Sequence, residues 1–390
     1  MPKARIIDVA REAGVSLGTV SNALNHPDKV RPETKKLIDE AIARLGYIPN
    51  QSARLLAGGS NAVLGLVLPR LDHGSCLQIA SGAHAAAEKL GYSLLIAYAG
   101  DDNASARKQL DYLMGIQVAG VIVQPADADA WETADNLPAP VVTVASQGSG
   151  RERGGHFVAA DNATQGRVVT AHLVSRGASR IAVIGHATNQ HMRLRLEGVR
   201  EALADRPDIE LEVIDAGEDS QSGDGFSLGR ELARRPEETR PDAVLGLTDV
   251  LAAGALAGAQ SAGLSVPEDL LVAGCDGNPF AWCGAVALTT CSPVGYELGR
   301  RSVQTLASLI EKQREEARTW HPERTGARGR AAHSLDDAVL ASADDGKQDQ
   351  GAAMELVKPF LLARASTGAS AQAPGSNRSA IPELNIGAYI

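Results

Sequence analysis

Apolar residues near the start of the chain recur at three- and four-residue steps. Ile6, Val9, Ala10 and Ala13 share one face of a short helix. Gly14 ends that helix, because glycine accepts the left-handed backbone of a helix stop. Val15 plugs the turn. Ser16 is placed to cap a second helix through its hydroxyl, and Val20, Ala23 and Leu24 form the buried stripe of that helix. Pro32 opens a third helix, with Leu37, Ile38, Ala41, Ile42 and Leu45 on its inner face and Gly46 as its stop. From Asn61 the pattern changes. Ala62–Leu68 is a continuous apolar run, as a parallel strand covered on both faces requires. Strands are expected at 93–97, 120–124, 141–145, 180–184, 211–214, 243–247 and 270–273, and one ends at Asp161. Helices between them are expected near 77–90, 106–115, 162–176, 195–204 and 251–262.

Two short helices joined by a tight glycine turn form the unit that lays its second helix in the major groove of DNA. Opposite the buried stripe, the groove-facing positions are Leu17, Gly18, Thr19, Ser21 and Asn22. Asparagine can pair with adenine through two hydrogen bonds, leucine can touch a thymine methyl, and the hydroxyls reach phosphate or base. Successive βα units after Asn61 imply open parallel sheets with ligand crevices at strand C-terminal ends. Two such series imply two similar lobes with a cleft between them.

Charge sharpens this division. The chain of 390 residues carries a net charge of −9, yet residues 1–60 hold nine Lys/Arg against six Asp/Glu. A basic head on an acidic body points to the head as the part that meets a polyanion. Four cysteines (Cys76, Cys275, Cys283 and Cys291) show no metal-ligand spacing, so neither a metal nor a cofactor is expected, and a reducing cytoplasm suits them. The N-terminus lacks the apolar core of a secretion signal, and no apolar run reaches the ~18 residues of a membrane span.

The run Asp8-Val-Ala-Arg-Glu-Ala-Gly-Val-Ser-Leu-Gly-Thr-Val-Ser-Asn-Ala-Leu-Asn25, then Gly46-Tyr-Ile-Pro-Asn50 and Ala53-Arg-Leu-Leu-Ala57, resembles the lactose/galactose repressor family of bacterial transcriptional regulators. The likeness spans the head and, more loosely, the body to Thr367. It implies a helix-turn-helix domain over 1–49, a hinge helix over 50–60, and a two-lobed periplasmic-binding-protein-like α/β body over 61–367 crossed by three linkers. The first lobe is expected at 61–160 and 290–312, the second at 161–289 and 355–367. The resemblance adds Ser16, Asn25, Tyr47 and Asn50 to the DNA contacts. It places Ala53 and Arg54 along the minor groove and Leu56 in the central base step, where an apolar wedge kinks the duplex. A hinge of about nine residues is marginal alone, and can be ordered or melted cheaply.

For the cleft, the resemblance points to Arg195 as an anchor for an effector, with Thr248, Asp249 and Asp276 nearby. Thr248 stands where the family has asparagine. Asp161 is equally suited to capping the next helix. Pro69-Arg-Leu-Asp-His73 replaces a usual aromatic platform, which leaves His73 as a ligand donor or a solvated loop residue. Phe280 and Trp282 are the aromatic side chains nearest in sequence to Asp276. Glu355–Arg364 is expected as the last strand of the body, with 313–354 a polar insertion and 368–390 a disordered tail. Gly223–Gly229 reads as a polar, glycine-rich loop.

These readings converge on a sequence-specific DNA-binding regulator, a repressor acting as a homodimer on a near-palindromic operator, tuned by a small sugar-like or polar effector. A solute-binding receptor of the same body fold, or a regulator without an effector, are the alternatives. The nucleotide, hydrolase and zinc-protease motifs GxxxxGK[ST], GxSxG and HExxH are absent, which argues against an enzyme.

Overall fold

The computed structural model describes residues 4–25, 29–47, 62–71, 74–100, 102–127, 131, 137–146, 155–186, 189–217, 221–278, 281, 284–292, 294–319 and 353–368. The chain divides into two units, Met1–Ala62 and Val63–Ile390.

The first unit is built from α1 (Ile6–Glu12), α2 (Leu17–Asn25) and α3 (Pro32–Leu45). Val9, Ala10, Val20, Ala23, Ile38 and Ala41 close a small core, with Val15 and Tyr47 packed against it. Gly14 and Gly46 adopt the left-handed backbone that the sequence assigned to helix stops, with φ of 64° and 58°. The Ser16 hydroxyl accepts the Thr19 backbone N–H at 3.0 Å. Asp8 caps α1 by accepting the Arg5 backbone N–H at 2.9 Å. Arg44 reaches Glu12 at 2.7 Å, tying α3 to α1.

The second unit begins with β1 (Val63–Leu68), α4 (Gly74–Lys89), β2 (Ser93–Tyr98), α5 (Asn103–Gly115), β3 (Gly120–Val123), β4 (Val141–Ser146) and β5 (His156–Ala160). It continues with α6 (Asn162–Ser175), β6 (Arg180–Gly185), α7 (Gln190–Leu203), β7 (Glu210–Asp215), α8 (Ser222–Ala233), β8 (Ala243–Gly246), α9 (Asp249–Ser261) and β9 (Leu271–Ala273). The C-terminal part holds β10 (Thr290–Ser292), α10 (Val294–Thr319), β11 (Ala353–Val357), β12 (Phe360–Leu362) and a 3₁₀ turn at Ala365–Thr367.

Two parallel sheets result, one per lobe. The first runs β11-β5-β4-β3-β1-β2 and the second β7-β6-β8-β9. β1, β3, β6 and β8 are buried almost throughout, as their unbroken apolar runs require of strands covered by helices on both sides. β10 and β12 form a separate antiparallel ribbon.

Three expectations are corrected. Glu355–Arg364 is not one strand of the second lobe. β11 joins the first sheet beside β5, while β12 pairs with β10. The break falls at Lys358-Pro359, where proline has no N–H to give a ladder. The segment expected as an insertion is narrower, because α10 continues to Thr319 and β11 begins at Ala353. The glycine-rich stretch 223–229 is helix α8, not loop. Its glycines hid the apolar period, but they serve packing. A β-carbon at Gly225 or Gly229 would overlap the backbone of α9, and one at Gly254 or Gly258 the backbone of α8.

Candidate functional site

In the head, α2 buries Val20 and Ala23, packs Leu24 against the same core, and turns Leu17, Gly18 and Asn22 outward. Ser16, Leu17, Gly18 and Asn22 are exposed, while Thr19 and Ser21 are half-buried. Leu17 is 48% exposed, an apolar side chain in water beside polar neighbours. Ser16 and Thr19 also share a hydroxyl–hydroxyl bond of 2.8 Å, which fixes the start of the helix. Tyr47 is half-buried against the small core, and its backbone N–H closes α3 on the Ile42 carbonyl at 3.1 Å. The side chain of Asn25 and all of Asn50, Ala53, Arg54 and Leu56 lie outside the described residues.

In the second unit a cavity of about 600 Å³ opens between the two lobes. Ser75 and Gln124 face it from the first lobe, and Arg195, Thr248 and Asp276 from the second. Arg195 stands in the first turns of α7 and is only 7% exposed. Its Nε donates to Gln165 Oε1 at 2.8 Å and Asn162 Oδ1 at 3.1 Å, and its Nη1 donates to the Leu247 carbonyl at 2.6 Å. Three fixed acceptors hold the guanidinium rigid at the cavity wall. A pre-set fork of this kind binds without a large cost in side-chain order.

The contact of α6 with α7 is what brings Arg195 there. A β-carbon at Gly166 would overlap the Arg195 carbonyl, and one at Gly198 the Ala163 carbonyl. Glycine at both crossing points lets the two backbones meet.

The other expected cleft residues separate into two roles. Thr248 and Asp276 line the cavity, with the Thr248 hydroxyl also accepting the Leu251 N–H at 3.3 Å. Asp161 and Asp249 do not line it. Asp161 caps α6 through Thr164 N at 3.0 Å. Asp249, 2% exposed, accepts from Asn278 N at 2.7 Å, Thr290 Oγ1 at 2.6 Å and Asp276 N at 3.3 Å. Asp276 returns the contact by accepting Asp249 N at 3.0 Å. Burial, then the Asp276 charge, push the Asp249 carboxyl well above its ordinary range. Asp249 therefore shapes the loop that presents Asp276, and ties it to β10. His73 and Trp282 lie outside the described residues.

Sequence reasoning missed His186 and Gln165, both in the cavity wall. His186 directly follows β6 at the crevice, a position the strand pattern marks. Gln165 sits one turn into α6, where nothing in the sequence distinguishes it from a surface residue.

Residues 5–50 match the model described as bacterial regulatory proteins, lacI family. Residues 170–329 match a periplasmic binding protein-like domain. The ribose operon repressor of Bacillus subtilis (strain 168) is 30% identical over 314 residues, covering 80% of this chain and 93% of that protein. This chain belongs to the lacI family.

Catabolite control protein A of Staphylococcus xylosus is a second relative, 28% identical over 328 residues and covering 83% of this chain and 98% of its own. The lac repressor dimer bound to operator and the anti-inducer ONPF shares the fold, with a TM-score of 0.69, 23% identity, and coverage of 94% of this chain and 100% of the other. As a lacI-family member the protein is a DNA-binding transcriptional regulator with a helix-turn-helix head and a two-lobed body. Its relatives are regulators rather than enzymes. Among the described residues no helix is long and apolar enough to cross a membrane.

Proposed function

We propose that this regulator is a cytoplasmic repressor that grips a near-palindromic operator as a homodimer, with a small polar effector in the interlobe cavity setting its affinity. The observation that carries the reading is the exposed face of α2, where Leu17, Gly18 and Asn22 stand in solvent opposite buried Val20 and Ala23. An exposed leucine beside an amide on a capped helix suits the floor of a major groove. Ser16, Thr19 and Ser21 supply hydroxyls for phosphate or base. Asn25, Tyr47 and Asn50 extend the contact, while Ala53, Arg54 and Leu56 are the minor-groove residues of the hinge.

Twofold symmetry in the protein imposes twofold symmetry on the operator. The edge strand β2 supports the dimer. It leaves Leu95, Ile96 and Tyr98 between 37% and 56% exposed, with Tyr112 of α5 at 62%. An apolar sheet edge in water is an association site unless it is covered.

In the cavity, Arg195, Thr248 and Asp276 contact the effector, while Asp161 and Asp249 hold the elements that present them. His73 and Trp282 complete the reading from sequence. The relatives' names support a sugar-like ligand, since one is a ribose operon repressor. An effector acts only through different affinities for the two lobe arrangements.

Selection of bound duplexes from a random pool tests the whole reading, repeated with Asn22→Ala. The expected result is a symmetric consensus whose base preference changes at one position per half-site in the variant. A protein that retains every duplex equally, or a variant with an identical consensus, overturns it. Affinity for the selected site is also expected to fall steeply with salt, as phosphate contacts release counterions.

A further inference from the structure

His186 stands at the C-terminal end of β6, in the wall of the interlobe cavity. Its Nδ1 lies 2.7 Å from Oδ1 of Asp215, at the end of the neighbouring strand β7. The same Asp215 oxygen accepts the Gly217 N–H at 3.0 Å. These two donors, His186 first, hold the Asp215 carboxyl below its ordinary range, so it is ionised and only accepts. The proton of the bond therefore sits on His186 Nδ1. In the neutral ring, Nε2 then carries a lone pair, and the ring presents an acceptor. That Nε2 is buried and has no hydrogen-bond partner. The Nδ1 contact to Asp215 sets the orientation of the ring, and the backbone N–H of His186 donates to Met192 Sδ at 3.2 Å in the first turn of α7.

A second buried atom in the same wall is complementary. Gln165 is 1% exposed, and its Oε1 is taken by Arg195 Nε at 2.8 Å. Arginine only donates, so the amide orientation is fixed and Nε2 is the donor end. Gln165 Nε2 is buried and unpartnered too. A buried polar atom left without a partner is costly, because its lost hydration is not replaced. Two of them in one cavity wall mark places where a partner arrives from outside the chain.

We propose that His186 is a specificity-determining residue for the effector, its Nε2 accepting a hydrogen bond from a ligand hydroxyl, while Gln165 Nε2 donates to a ligand oxygen and Asp215 acts as the positioning residue for His186. The inference rests on the effector reading of this cavity and names the chemistry that reading leaves open. The ligand is a polyhydroxylated molecule whose hydroxyl toward β6 must keep its hydrogen. An ether, deoxy or O-methyl group at that point is rejected, because it leaves Nε2 buried and unpaired.

The test uses the full chain and a panel of free pentoses, hexoses and hexitols, with binding followed by calorimetry. For the sugar that binds, each monodeoxy analogue is measured against the wild type and against His186→Leu, His186→Gln and Asp215→Ala. With the wild type, one deoxy analogue is expected to bind roughly fivefold to tenfold more weakly than its parent. With His186→Leu the parent falls to the level of that analogue, and the gap between the two closes. The His186→Gln variant offers an amide oxygen as acceptor in place of the ring nitrogen, and restores part of the discrimination. Asp215→Ala weakens the same hydroxyl selectively, although Asp215 touches no ligand. In ¹⁵N-histidine spectra the His186 ring shows a protonated Nδ1 and a bare Nε2, and Asp215→Ala redistributes them. If His186→Leu keeps the full discrimination, or lowers all analogues by one common factor, the assignment is wrong while the cavity remains an effector site. If no sugar binds the wild type, and its DNA affinity responds to none of the compounds, the effector reading itself fails and takes this inference with it.

Discussion

Single residues in this protein divide between those that line the interlobe cavity and those that place them. His172 shows how a supporting residue leaves a measurable trace. It is half-buried, and its Nε2 meets Thr367 Oγ1 at 2.8 Å. Burial, helped by the Arg176 cation, lowers its pKa from the ordinary 6.5. The unfolded chain therefore takes up this proton at higher pH than the folded one. The stability His172 contributes is present above 6.5 and is lost as pH falls below that value. Thermal unfolding should show a midpoint that drops on mild acidification in the wild type, with a shallower drop in His172→Gln. Equal slopes would remove His172 as the cause. Cys275 makes the same point about inaccessible chemistry, since burial pushes its thiol up to about 12. At this scale the sequence was informative wherever a residue has a local job. Ser16, Gly14 and Gly46 could be read because a cap or a stop depends on neighbours within a few positions. The cap of Asp161 on Thr164 is local and was one of its two readings, but the division of Asp249 from Asp276 could not be read, because it depends on which carboxylate a distant loop covers. Gln165 and the His186–Asp215 pair were invisible for that reason: their partners lie 29 and 30 residues away, on other elements.

At the level of elements, strands and helices followed from apolar period almost throughout the body, since buried parallel strands leave unbroken runs. The failures are physical. α8 was hidden because glycine is a poor helix former, yet Gly225 and Gly229 are what allow α8 to lie on α9. β11 and β12 were merged because apolar content continues on both sides of Pro359, and composition does not report which edge a strand joins. The α6–α7 crossing gives the sharpest expectation. Gly198→Val places a branched side chain against the Ala163 carbonyl. The two helices must separate, and α7 carries Arg195 away from Gln165 and Asn162. Loss of about 1–3 kcal/mol of stability is expected from such overpacking, together with loss of effector response. Denaturant unfolding and ligand calorimetry measure the two effects. A variant with native stability would contradict the close packing.

For the molecule as a whole, a basic head and an acidic body were legible from charge, and the family match agrees with the motif of the head. The homodimer was expected from the sequence, but the surface that carries it was not legible, since that needs the sheet order. Only the placement of β2 at an edge shows that Leu95, Ile96 and Tyr98 form a strip without a covering layer among the described residues. Ile96→Glu should weaken self-association by tenfold or more, because a charge would have to be buried with the strip. Sedimentation across a concentration series reads this, and DNA affinity should fall with it, as one head alone grips a half-site. A variant as dimeric as the wild type would move the interface elsewhere.

The return of β11 to the first sheet has an outcome for synthesis on the ribosome. β1 to β5 emerge early, yet the neighbour that closes β5 is drawn from Ala353–Val357, after the second lobe has been made. The earlier lobe is thus not finished until the sheet of the second lobe has been made. Until then the β5 edge is an open ladder in a crowded cell, and a message truncated upstream of codon 353 would yield a chain with that ladder permanently unpaired.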